Sequence, residues 1–180
     1  MLPNSFFNRS SVKVAKDLIG CFLCTPKGKF MIVETESYEG PRDMASHAFR
    51  GVTKRNQPMF GPAGVWYVYF TYGMHYMLNI VCGSAGFPSA VLIRGVEGAI
   101  GPARLTKKLG IDKRFNDQKM SKNLGLWIEA PRRTEGQSKN PTNKKTKILR
   151  TPRIGVASSG PIWSTKPYRF VLAGFETKKF

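Results

Sequence analysis

Apolar residues recur along this chain at two spacings, and each spacing marks a different kind of element. Val12, Ala15, Leu18 and Ile19 fall at the three-to-four-residue interval of one helix face. Ser10 or Ser11 can cap that helix and Gly20 can stop it. Residues 30–37 read as a strand, and Pro41 suits the first position of a short helix over 42–47. Residues 65–72 and 76–82 are dense in aromatic and β-branched side chains, separated by Gly73, Met74 and His75. That pattern predicts two strands joined by a tight hairpin. Another strand is expected at 90–96, and Gly101-Pro102 opens a helix that runs to Leu109 and ends at Gly110. Further strands are expected at 124–129, 153–157 and 168–172. Strands and helices do not alternate regularly, which argues against a doubly wound parallel sheet. The expected class is α+β: one domain with a curved, mostly antiparallel β-sheet, short surrounding helices and a protruding β-hairpin.

Length agrees with a single domain, since 180 residues can bury about 70% of the surface that the unfolded chain exposes. Charge changes the picture more. Lys and Arg number 29 against 11 acidic residues, a net +18. Residues 101–153 hold 15 of those basic residues and only 4 of the acidic ones. Within that stretch, 131–147 is polar and Lys-rich with little to bury, and is expected to be a mobile basic loop. A surface this basic repels itself unless a polyanion neutralises it. Nucleic acid is the first partner to consider and an anionic membrane the second; a solvated basic surface without a partner is the third reading.

The longest apolar stretch, 65–82, is interrupted by Gly73, His75 and Asn79 and is rich in Tyr, which disfavours a bilayer span. Polar residues interrupt the first positions too, so no signal peptide is read and a cytoplasmic location is expected. Cys21, Cys24 and Cys82 are too few and wrongly spaced for a disulfide framework or a zinc finger, and read as packed thiols. His47 and His75 lack paired ligands, and no phosphate-binding loop, dinucleotide fingerprint or nucleophile elbow is present. Neither a metal nor a cofactor is implied.

Two clusters could carry chemistry. Glu34, Glu36 and Glu39 crowd one strand, although acidic residues are scarce. Alternation puts Glu34 and Glu36 on one face and Thr35 and Ser37 on the other. An ionised carboxylate facing a water is what a hydrolytic general base requires; pairing with surface Arg or Lys is the plainer reading. The second cluster is the aromatic hairpin. Tyr67 and Tyr69 are either core or stacking surfaces, whereas Tyr72, beside a glycine turn, could wedge between base steps.

These residues also carry a resemblance. Glu34-Thr35-Glu36-Ser37-Tyr38 with Gly40-Pro41, Asp43 and His47, then Arg55-Asn56 and Met59-Phe60, resemble the N-terminal signature of the 3-methyladenine (alkyladenine) DNA glycosylase family. The run from Tyr67 to Met74, Asn79, Val91-Leu92-Ile93-Arg94, Gly101-Pro102-Ala103-Arg104-Leu105 and Arg153-Ile154-Gly155-Val156 follow in the same order. The likeness spans about 6–174 and suggests a bacterial-type member.

The resemblance implies that Glu36 deprotonates the attacking water and that Arg94 positions it, with the Ile154 carbonyl as a weaker third contact. Tyr38, His47 and Tyr69 would line the base pocket. Asn79 would exclude normal bases that carry an exocyclic amino group, and Tyr72 would replace the extruded base in the duplex. The implied substrate is double-stranded DNA containing alkylated purines, acted on by a monomer without strand cleavage. Two departures stand out: Arg42 occupies a position where the family commonly has an acidic residue, and the 82–90 loop is somewhat long. A non-catalytic nucleic-acid binder, or a transferase acting on RNA, remains as an alternative.

Overall fold

A computed structural model of the chain describes residues 1–131 and 147–175. The expected basic loop at 131–147 therefore lies, apart from its end residues, outside the described residues.

The sheet is built around one long strand. β2 (Gly28–Glu39) pairs first with β1 (Phe22–Thr25) and then, further along the same edge, with β10 (Arg169–Leu172). Its other edge carries β5 (Ser89–Val96), followed by the hairpin of β4 (His75–Val81) and β3 (Val65–Thr71). Short strands β6 (Ala99–Ile100), β7 (Gln118–Lys119), β8 (Trp127–Glu129) and β9 (Ile148–Thr151) extend the edges. Every strand pairing among the described residues is antiparallel, and the ten strands form one sheet. With its few short helices this is the expected α+β fold.

Helix α2 (Ser11–Asp17) covers the middle of the sheet through Val14 and Ala15, with Leu18 just beyond its end. Val12 and Ile19, expected on the same face, are only partly buried. Ser11 does not cap the helix. Its hydroxyl instead meets Ser37 Oγ at 2.9 Å, and Thr35 Oγ1 donates to the Ala15 carbonyl at 2.8 Å. The polar Thr35–Ser37 face of β2 is thus bonded to α2, which satisfies groups that burial would otherwise penalise. Helix α3 (Pro102–Leu109) starts after Gly101 and stops at Gly110, whose left-handed conformation suits glycine.

Some expectations fail. Residues 42–47 form turns rather than a helix, because the Asp43 carboxylate accepts from the backbone N–H groups of Glu39 and Ala45. Such local side-chain bonds compete with a helical ladder. Residues 153–157 are not a strand: the Ile154 N–H bonds a side chain instead of a neighbouring strand, and Gly155 has φ +76°. The pairing strand lies earlier, at β9. Of 124–129, only Trp127–Glu129 is strand. β1, β7, β9 and the short helices α1 (Asn4–Phe7) and α4 (Gly160–Thr165) carried no recognised signal.

The main core lies beneath α2 and α3, with Trp66, Phe7, Phe170, Leu18 and Ile80 fully buried. A smaller apolar cluster of Ala48, Met59, Val65, Tyr67, Val81 and Ala90 sits apart from it. Cys21, Cys24 and Cys82 are buried free thiols. Among the described residues, no helix is long and apolar enough to cross a membrane.

Candidate active site

The smaller cluster has a purpose: Met59, Tyr67 and Ala90 from it also line a cavity of about 310 Å³. That is near the lower end of the roughly 300–1,000 Å³ typical of small-molecule sites. Tyr38, His47, Tyr69, Asn79, Arg94 and Ile154 line the same cavity, and Tyr72 stands at its rim.

Glu36 lies behind one wall and is completely buried. Its Oε1 accepts from the Ile154 N–H at 2.8 Å, and its Oε2 accepts from the Tyr38 hydroxyl at 2.9 Å. Arg94 Nε stands 3.4 Å from Oε1. These three partners all line the cavity. A carboxylate offers about four acceptor sites, so three neighbours leave room for one more donor. The Ile154 amide thus contacts Glu36 itself, whereas the carbonyl contact that the resemblance implies is one to the attacking water.

An irregular ladder produces this cluster. Thr35 faces Ile93 and Glu34 faces Gly95, which leaves Arg94 as an extra residue on β5. Ile32 faces Val96, which leaves Val33 extra on β2. The bulge points Arg94 at both acids, since its Nε donates to Glu34 Oε1 at 2.9 Å. Bulges re-aim side chains in this way. Arg169 Nε donates to the same Glu34 oxygen at 2.6 Å. Burial disfavours the charge on Arg94, but Glu36 and Glu34 more than offset this and raise its pKa above the ordinary value. Glu34 and Glu36 do share one face, yet neither makes the surface ion pair of the plainer reading.

The aromatic wall is also ordered by hydrogen bonds. His47 Nδ1 lies 3.0 Å from the Tyr67 hydroxyl, and the His47 ring meets Tyr69 edge-on at 4.6 Å. Burial, helped by the positive charge of Arg55, lowers the His47 pKa to about 4, so the ring is neutral at pH 7. Burial pushes the Tyr69 hydroxyl up to about 12 and raises Tyr38 well above its usual value, with Glu36 adding to the latter. Arg153 lies 4.7 Å over the Tyr38 ring, and Arg55 4.8 Å over Tyr69. Asn79 is buried and donates through Nδ2 to the carbonyls of Tyr67 and Met77.

The hairpin tip differs from all of this. Tyr72 is 83% exposed and Met74 68%. Met74 N donates to the Thr71 carbonyl, and Tyr72 and Gly73 between them have φ +52° and +65°. Positive φ suits a hairpin turn, but it is rare for a residue as bulky as tyrosine.

The eight residues singled out from sequence thus gather around one cavity. Sequence reading leaves Tyr67 undecided and gives no role to Asp43, Arg153, Arg169 or Arg55. Arg153 forms a fully buried pair with Asp43, at 2.6 and 2.8 Å, and donates to the Ser37 carbonyl. This pair anchors the 152–156 segment that presents Ile154. The only hint in the sequence was that Asp43 and Arg153 both belong to matching motifs. No group of three or more His, Cys, Asp or Glu placed to hold a metal occurs among the described residues.

Known proteins resemble the whole chain. A family model described as methylpurine-DNA glycosylase matches residues 5–176. A protein of Carboxydothermus hydrogenoformans, named "Putative 3-methyladenine DNA glycosylase", is 39% identical over 96% of this chain and 95% of its own length. Relatives with the same name from Anaeromyxobacter sp. and Myxococcus xanthus are 40% and 39% identical, covering 96% and 93% of this chain and 89% and 88% of theirs. With its motifs in order and a family match across nearly all its length, this chain belongs to the methylpurine-DNA glycosylase family.

Proposed function

We propose that this DNA glycosylase flips alkylated purines such as 3-methyladenine out of duplex DNA and hydrolyses their bond to the sugar with a water activated by Glu36. One observation carries the reading: a buried carboxylate whose three partners, Tyr38, Arg94 and the Ile154 amide, all face the same cavity.

In this reading a water in the cavity becomes the fourth donor to Glu36, and Arg94 steadies it. Its oxygen bonds to the sugar C1′, its proton passes to Glu36, and the C1′–N bond breaks with its electrons going to the base. A ring-alkylated purine is cationic and leaves neutral, so no strong acid is required. Tyr38 and Tyr69 supply stacking faces, and the neutral His47 adds no repelling charge. The NH2 of Asn79 is committed to backbone carbonyls, so it would exclude an exocyclic amino group by bulk rather than by opposed donors. Tyr72, exposed at the rim, fills the vacated stack. The basic surface holds phosphates without reading sequence. No lysine lines the cavity among the described residues, which favours hydrolysis without a lyase step, and a monomer suffices.

The test is to incubate methylated duplex with the protein and measure free 3-methyladenine. Release by the parent, and release slowed about 10²- to 10⁴-fold in Glu36→Gln, are expected. A non-catalytic binder would release no base at any concentration, and a Glu36→Gln variant that excises at the parent rate would remove Glu36 from the mechanism.

A further inference from the structure

Glu34 is a second completely buried carboxylate, two residues from Glu36 on the same face, and the scheme above gives it no task. Burying an acid without function is costly even when it is paired, and this site accommodates it closely. A side chain at Gly95 would bring its Cβ to 3.3 Å from Glu34 Cβ and 3.5 Å from Oε2, so the acid packs where β5 has no side chain. Its Oε1 is shared by two cations, Arg94 Nε at 2.9 Å and Arg169 Nε at 2.6 Å. Its Oε2 is buried without a hydrogen-bond partner.

Among the described residues the charges pair in a specific way. Arg169 neutralises Glu34, and Arg94 neutralises Glu36. Arg94 Nε nevertheless lies 0.5 Å nearer to Glu34 than to Glu36, the two distances being 2.9 and 3.4 Å. The guanidinium is therefore drawn back from the carboxylate it could otherwise grip, although its side chain still lines the cavity.

We propose that Glu34 is a positioning residue for excision: it tethers Arg94 by Nε, with Arg169 as counter-ion, and so keeps the guanidinium from closing onto Glu36. This rests on the reading of Glu36 as the base. A fully gripped Glu36 would lose the acceptor site that a water needs.

Several groups face Glu36. They are Glu34 and Tyr38 on β2, Arg94 on β5, Arg169 on β10, Tyr69 on β3, and Arg153 in the segment after β9. Arg153 is already paired with Asp43. Neutralising Glu34 thus leaves one positive charge in excess, and neutralising Arg169 leaves one negative charge in excess. The two changes act on Glu36 with opposite sign.

The experiment measures single-turnover release of 3-methyladenine from methylated duplex across pH for the parent, Glu34→Gln, Arg169→Gln, the double variant and Glu36→Gln. Glu34→Gln is expected to lower the rate about 10- to 100-fold, the scale of a misplaced catalytic group. Its binding to abasic DNA should stay at the parent level. Its acid limb should move to lower pH, and that of Arg169→Gln to higher pH, because the two changes remove charges of opposite sign beside the site. The double variant, with charge balance restored but the tether still missing, should bring the acid limb back towards the parent's while its rate stays within about threefold of Glu34→Gln. A purely structural role would move both acid limbs alike or neither. Parent rates in Glu34→Gln, or shifts of the same sign in the two single variants, would overturn the proposal. Should Glu34→Gln fail to fold, Arg169→Gln decides: an acid limb that does not rise overturns it. Glu36→Gln stands as the separate control, since excision there at the parent rate defeats the reading of the base whatever Glu34 does.

Discussion

The acid–arginine cluster and the hairpin tip adjoin the same cavity and are built on opposite principles. In the cluster, Glu34 and Glu36 are fully buried and held by Arg94, Arg169, Tyr38 and the Ile154 amide. At the tip, Tyr72 stands 83% exposed on a backbone that tyrosine rarely adopts. The cluster lowers stability through desolvated charge, and the tip through strain and exposed apolar surface. Bond-breaking needs groups already in place before substrate arrives. The insertion proposed for Tyr72 would need a side chain left unburied until DNA covers it.

The contrast can be broken at either end. The largest effect is expected from Glu36→Gln, which should cost about 10²- to 10⁴-fold in excision, the usual contribution of a general base. Its binding to abasic duplex should stay near the parent value. Next comes Asp43→Asn, which leaves Arg153 buried without its counter-charge. Thermal or urea unfolding should show a loss of about 3–5 kcal/mol, with excision falling as the Ile154 segment loosens.

Tyr72→Ala should leave stability nearly unchanged and weaken binding to duplex with an extruded base by about 1–3 kcal/mol, measured by fluorescence anisotropy. Equal affinity of the two proteins would deny it the wedge role. Tyr72→Gly sharpens the contrast further, because glycine accepts φ +52° without a Cβ penalty. Unfolding should show a gain of about 1 kcal/mol beside the same loss of binding.

The smallest effect concerns pH. An unfolded His takes its proton near pH 6.5, whereas folded His47 does so only near pH 4. Between those values the unfolded chain holds more protons, so stability falls as pH drops from 6.5 towards 4. His47 keeps appreciable solvent exposure, which makes the effect modest; His47→Gln should flatten the melting temperature across that window.

Elements with local causes were legible in the sequence. The aromatic strands around Gly73 and the helix between Gly101 and Gly110 appear where their punctuation puts them. The shared face of Glu34 and Glu36 followed from alternation alone. What escaped depends on distant partners. Asp43 meets Arg153 across 110 residues, and that pairing, with the backbone bonds Asp43 makes, turns 42–47 away from a helix. Arg94 could be named from a motif, but its approach to two acids comes from a slipped ladder that no spacing on β5 announces. Tyr67, read from sequence as either core or a stacking surface, is buried in the smaller cluster, with its hydroxyl 3.0 Å from His47 Nδ1.

The slip in that ladder is self-correcting. Only Glu34 with Gly95 departs from the register that Ile32 with Val96 and Thr35 with Ile93 share. One strand's surplus residue offsets the other's within two positions, and β10 runs past Glu34 without a break. The local irregularity is thereby kept apart from the architecture around it. The displaced pair turns Arg94 towards two acids while the hairpin and the outer strands keep an undisturbed register.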